Sequence, residues 1–150
     1  MNSPLEEAAR LLDSIETMVL AVELEHGGAH AAPLYFVRGK GFALYWLSSP
    51  ASLHSREIAR TGAAAAAIFR PSRKWADLRG VQIRGRAAAV RKSRDIIDAY
   101  KAKFRLGDGL DTVIARSRLY RLEPRWMRLI DNRRGFGWNL EWEFPASEQK

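Results

Sequence analysis

Turns constrain this chain more than any other feature. Segments bearing glycine or proline at 25–28, 38–41, 48–52 and 132–137 cut it into short stretches of β-forming residues. Thr17 to Leu24 reads as a strand, Glu25-His26-Gly27-Gly28 as a turn and His30 to Val37 as a second strand. Pro33 cannot donate to a ladder, so that second strand is expected at an edge or a bulge. Arg38-Gly39-Lys40-Gly41 turns the chain into Phe42–Leu47, and three strands joined this way predict an antiparallel meander. Val81 to Val90 alternates, with Val81, Ile83, Gly85, Ala87 and Ala89 on one face and Gln82, Arg84 and Arg86 on the other. Arg116–Leu122 and Arg125–Asp131 read as strands separated by Pro124, and Trp138–Phe144 as the last strand. Strands this numerous in one small domain tend to close into a barrel, which removes unpaired edges.

Helices fill the remaining segments. Ser3 as N-cap, Pro4 at the first helical position and Glu6 in capping-box register predict a helix within residues 1–16. Ser52 is placed to cap a short helix from Leu53 to Arg60, and Ser93 one whose Ile96, Ile97, Tyr100 and Phe104 share a face. Gly107-Asp108-Gly109 ends that stretch. Ala63 to Phe69 favours a helix by propensity, but Thr61-Gly62 and Pro71 leave too little length for one, so it reads as a strand. An alanine strand has almost no side-chain volume and calls for something bulky beside it. Residues 145–150 read as a frayed tail. The expectation is one domain over residues 1–150, mainly β with appended helices.

Composition narrows the chemistry. The chain of 150 residues has no cysteine, which excludes disulfides, thiolate chemistry, Cys-ligated zinc and iron–sulfur clusters. No apolar run reaches the roughly 18–20 residues of a membrane span, and Glu6 and Glu7 stand where a secretory signal needs basic and apolar residues. A soluble, cytoplasmic protein is expected. Net charge is +8, and it is uneven: the first 34 residues hold one arginine against six acids, leaving a strongly basic remainder. Such a body attracts nucleic acid, an acidic surface or a phosphorylated ligand, although arginines spread this widely are as often a solvated surface. There is no P-loop, dinucleotide glycine fingerprint, G-x-S-x-G or H-E-x-x-H motif. His26, His30 and His54 are too scattered to indicate a metal site, and no catalytic side chain stands out.

Three segments carry candidate chemistry. Leu47-Ser48-Ser49-Pro50-Ala51-Ser52-Leu53-His54-Ser55-Arg56 sets hydroxyls, an imidazole and a guanidinium between a strand end and a helix start. The unpaired N–H groups of a helix's first turn attract phosphate, and a protonated His54 would suit a phosphate dianion. Equally, Ser52 is only an N-cap and the other serines only fill a turn. In Leu78-Arg79-Gly80-Val81-Gln82-Ile83-Arg84-Gly85, Gln82 both donates and accepts, as a heterocyclic ring edge requires; a solvent-facing glutamine on an alternating strand is as good a reading. In Asp131-Asn132-Arg133-Arg134-Gly135-Phe136-Gly137-Trp138, a turn explains Asn and Gly but not the aromatic rings. Such rings are more often core or interface anchors than cofactor platforms.

Taken in order, Ala31-Ala32-Pro33-Leu34-Tyr35-Phe36, the 49–58 segment, Arg79 to Gly85, Ala99-Tyr100-Lys101-Ala102-Lys103-Phe104 and Asp131 to Gly137 resemble the pyridoxamine 5′-phosphate oxidase-like, FMN-binding split-barrel superfamily. Within it, the likeness is nearest to a family of small bacterial split-barrel proteins. The resemblance implies a six-stranded antiparallel split β-barrel that forms a homodimer with FMN at the subunit interface. It also implies an oxidoreductase chemistry supplied by the flavin, on a substrate the motifs do not name. The oxidase's Ser-Arg-Lys run matches Ser52-Leu53-His54 here, so two strong cations are replaced; Arg56 is a candidate to compensate. By resemblance the cofactor-binding set is Leu34, Tyr35, Ser48, Ser49, Ser52, His54 and Gln82, with Asn132 and Phe136 closing the pocket from the second chain. The oxidase's carboxy-terminal Arg-Leu-His-type run is absent, which argues against vitamin B6 oxidation. Two alternatives stand beside this reading. One is a split barrel holding haem, with His26 or His30 as axial ligand, or deazaflavin. The other, less favoured, is a basic nucleic-acid-binding protein.

Overall fold

The computed structural model describes residues 2–104 and 111–146. Helix α1 (Pro4–Ser14) starts as its sequence dictates: Glu6 N–H donates to Ser3 Oγ at 3.2 Å, and Ala8, Leu11 and Leu12 are buried on one face. Eight strands form one antiparallel sheet: β1 (Thr17–Glu23), β2 (Ala29–Tyr35), β3 (Val37–Arg38), β4 (Leu44–Ser48), β5 (Ala63–Arg70), β6 (Arg79–Val90), β7 (Arg118–Asp131) and β8 (Asn139–Glu143). Their order is β2-β1-β5-β6-β7-β4-β3, and β8 adds to the far half of β7. The two terminal strands of that path, β2 and β3, are consecutive in the chain and meet at Phe36, which is wholly buried. The sheet therefore curls until both of its ends belong to one stretch of backbone. Pro33 sits on β2, which pairs only with β1, as the missing N–H requires.

The structure corrects several expectations. Eight strands are present where the resemblance implies six; the expected second strand is divided at Phe36 into β2 and β3, and the expected last strand is β8. The three-strand meander is kept only in part: β2 pairs with β1 and the short β3 with β4, but β2 does not pair with β4, whose long partner is β7. That non-local choice buries Leu44 against Leu122 and stacks Trp46 on Tyr120, with ring centroids 5.8 Å apart at 15°. The two strands expected on either side of Pro124 are one continuous strand, β7. Its register against β6 shifts between Arg84 and Gly85, so a bulge absorbs Pro124 instead of ending the strand. The approach is close enough that a Cβ on Gly85 would lie 1.9 Å from the Glu123 carbonyl oxygen, which only glycine avoids. Arg116 belongs not to a strand but to a helix the reading missed, α4 (Asp111–Arg116). Six residues give too little periodicity to reveal it. Gly107-Asp108-Gly109 and residues 147–150 lie outside the described residues.

Helix α2 (Leu53–Thr61) is capped by Ser52 and ends at Gly62, whose φ of 70° is the left-handed conformation glycine tolerates. Helix α3 (Arg94–Phe104) begins where Ile96 N–H donates to Ser93 Oγ at 3.4 Å. Strand β5 is the expected alanine strand. Ala64 and Ala66 face the core, and Ala65 and Ala67 face outward over a groove of about 390 Å³. Along β6 the predicted alternation holds through Ala87, but Ala89 is exposed beyond the end of the core.

Candidate cofactor site

Strand β4 delivers Ser48 to the foot of α2, and Ser49 to Ser52 turn the chain into that helix. The corner is knitted by short polar contacts. Ser48 Oγ is 2.7 Å from His54 Nε2, and Ser52 Oγ is 3.2 Å from the same nitrogen and 2.7 Å from Ser55 Oγ. Ser55 N–H donates to Ser52 Oγ at 3.3 Å, and Ala51 N–H to Ser49 Oγ at 3.2 Å. As in any first helical turn, the N–H groups of Leu53 and His54 have no intrahelical acceptor. Ser48 and Ser52 are half-buried, Ser49 and Arg56 exposed, His54 and Ser55 buried.

His54 does not carry the charge expected of it. Burial first, and the neighbouring His30 second, hold its pKa below the ordinary 6.5. At neutral pH it is an uncharged ring bonded to Ser48. Among the described residues no carboxylate hydrogen-bonds the imidazole, so the arrangement is not a Ser-His-Asp triad. With Leu53 apolar and His54 neutral, the run that matches the oxidase's Ser-Arg-Lys has no cation. One is supplied from elsewhere. Arg118, the first residue of β7, is the direct ladder partner of Ser48, so the two side chains share a face. Arg118 is exposed. Nothing in the sequence pointed to it, because strand pairing over 70 positions leaves no local trace.

A cavity of about 570 Å³ lies between the barrel and the two helices α3 and α4, lined by Leu47, Tyr35, Tyr100, Phe104, Ile114 and Ser117 among others; Ser48, Ser52, His54 and Arg118 do not line it, and Leu47 points to the opposite face of β4 from Ser48. Tyr35 and Phe104 meet edge to face at 5.1 Å. The volume is that of a typical small-molecule site. Burial pushes the Tyr100 phenol up to about 12, so it stays protonated as a wall of this space. Lys103, brought down to about 8 chiefly by burial, donates to the Phe36 carbonyl oxygen at 2.9 Å and fastens α3 to the barrel.

The other predicted residues are not gathered here. Leu34 faces inward and packs on the core. Gln82 lines the outer groove beside Ala67, with Arg84 stacked on Trp126 at 3.8 Å. Its β7 partner is Arg128, ten residues and about 30 Å of strand from Arg118. Within one protomer Gln82 and the serine corner therefore do not share a small ligand. Asn132 is buried and serves the fold: its Nδ2–H donates to the Trp75 carbonyl at 2.8 Å, and Gly137 N–H donates to its Oδ1 at 3.0 Å. Within its own chain, Asn132 thus has a structural role. The loops it splices hold Phe136, 83% exposed, against Trp75. His26 is exposed in a turn, and His30 faces inward on β2.

No protein-family model and no curated protein sequence matches this chain. Solved structures do. A haem-binding protein from Mycobacterium smegmatis superposes with a TM-score of 0.75 at 20% identity, covering 95% of this chain; the chain spans 59% of that protein. The haem-storage protein HutZ of Vibrio cholerae gives 0.64 at 18% identity, over 81% of this chain and 91% of its own. A Listeria innocua protein provisionally named a pyridoxamine 5′-phosphate oxidase gives 0.69 at 16%, over 86% and 99%. The chain has the split-barrel fold of the pyridoxamine 5′-phosphate oxidase-like proteins. Among the described residues no helix is long and apolar enough to cross a membrane, and no three His, Asp or Glu side chains converge as metal ligands.

Proposed function

We propose that this protein is a homodimeric flavin-binding protein, with FMN as cofactor and an oxidoreductase activity. The observation that carries the reading is the serine corner: Ser48, Ser52 and the open end of α2 converge, with Arg118 as Ser48's partner across the ladder. Ser48 and Ser52 hydroxyls and the first N–H groups of α2 hold the phosphate, and Arg118 supplies the positive charge that Leu53 and His54 do not. A bound flavin supplies the hydride or electron transfer.

The ends of the barrel support a second copy. The corner lies at one end of β7, whereas Gln82 and the protruding Phe136 lie toward the other. Two copies related by a two-fold axis across the flat alanine face would bring the Gln82 and Phe136 end of each to the corner of the other. Each pocket then takes its phosphate grip from one chain and its ring contacts from the second.

Titrating FMN fluorescence and the visible absorbance against the pure protein tests the reading. Saturable quenching is expected, with Ser48→Ala weakening it roughly tenfold, the worth of one hydrogen bond to a charged group. Unchanged FMN fluorescence at high protein concentration overturns it. One observation favours a second reading, haem: His30 faces inward close to His54, and two of the superposed structures are named for haem. A Soret band on haem addition, lost in His30→Ala, would establish it in place of FMN.

A further inference from the structure

Seven arginines of this chain have an acid partner among the described residues. Arg38 pairs with Asp13, Arg60 with Glu57, Arg128 with Glu141, Arg133 with Asp131 and Arg134 with Glu7. A different arrangement holds where β6 and β7 end. There a groove of about 490 Å³ runs from Pro50, in the serine corner, past Arg118 to Arg91, Lys92 and Arg116. No carboxylate lines it, and among the described residues no hydrogen bond or ion pair neutralises Arg91, Arg116 or Arg118. Lys92 alone is engaged: its Nζ donates to the carbonyls of Ile114 at 2.8 Å and Ala115 at 3.4 Å, which ties α4 down and fixes the far wall. Four cationic side chains drawn into one groove repel one another. With no carboxylate lining it, the groove presents a binding surface for negative charge.

We propose that this groove is a second anion subsite, continuous with the phosphate grip at Ser48 and Arg118, so that a flavin whose tail carries a further anionic group binds more tightly than FMN alone. The inference rests on the flavin reading above and extends it. The first phosphate lies between Ser48 and Arg118, and the next anionic group falls between Arg91 and Arg116, where the guanidinium forks bind it in bidentate fashion. A monophosphate such as FMN leaves that half of the groove to water.

Riboflavin, FMN and FAD titrated against the full chain, at low and at physiological salt, separate the possibilities. FAD is expected to bind about tenfold more tightly than FMN, the worth of one added charge-assisted contact. Its affinity should fall more steeply with salt, and pyrophosphate, but not adenosine, should displace it. Arg91→Gln combined with Arg116→Gln, both at exposed positions, should remove the FAD advantage and leave FMN within twofold. Equal binding of FMN and FAD, or displacement of FAD by adenosine alone, overturns this inference and spares the flavin reading. A protein that ignores all three flavins overturns both. Should the double variant fold poorly, the salt and pyrophosphate series on the unaltered chain decides.

Discussion

His54 shows how one residue's surroundings reverse its expected role. On paper it is a histidine available to be charged beside a phosphate. In the fold it is buried, close to His30, and bonded to Ser48. Its folded pKa lies below that of the unfolded chain, so unfolding takes up a proton that the native state resists. This contribution to stability is complete above about pH 6.5 and is lost as the pH falls through the folded value. His54→Gln cannot titrate and keeps a hydrogen-bonding tip. Urea midpoints measured from pH 7.5 down to about pH 5 should therefore decline less steeply in the variant than in the parent. Parallel slopes would assign the acid sensitivity to other groups. Arg118, across the ladder from Ser48, is the cation the proposed phosphate grip uses in place of His54.

At the scale of elements, helix starts and turns were legible because they are written within a few residues. Ser3, Ser52 and Ser93 cap where the sequence placed them, and β1 and β5 span nearly the expected positions. Boundaries that depend on a distant partner were not legible. Pro124 reads locally as a break, yet β7 passes through it because Gly85 on the neighbouring strand gives room for the bulge. Asn132 likewise reads as an ordinary turn residue and is instead the splice between two loops, the 75–77 turn and the 132–137 turn. Asn132→Ala should strand the Trp75 carbonyl and the Gly137 N–H. The expected cost is about 2–3 kcal/mol, read as a lowered urea midpoint, with a change in Trp75 emission as Phe136 loosens. Unaltered stability and emission would show that the two loops hold without it.

At the scale of the whole molecule, the outer face of the curled sheet decides what the protein can assemble into. Val19, Ala21, Ala65 and Ala67 leave it flat and weakly polar, with the Arg84 and Trp126 stack at its margin. If a second copy covers this face, light scattering should give about twice the 17.0 kDa chain mass. Ala65→Glu with Ala67→Glu, which buries charge at the seam, should give monomers that also lose flavin. A monomeric parent, or a monomeric variant that binds FMN as well as the parent, would remove the second chain from the site.

Capping hydroxyls, turn glycines and the two-residue alternation of side chains act over a handful of positions. The sequence by itself therefore determined where the capped helices α1, α2 and α3 begin, which faces most strands bury and that the chain is mainly β. Which strands are neighbours is a long-range matter, since alternation assigns a side chain to a face but not to a partner across it. Only the tertiary structure brought β4 against β7 and so set Arg118 opposite Ser48. It also placed His30 near enough to His54 to help keep that ring neutral, and carried Gln82 to the other end of the barrel. The physical reason is common to all three. Burial of the whole apolar face chooses the pairing, and the polar residues that make a site are carried along with it.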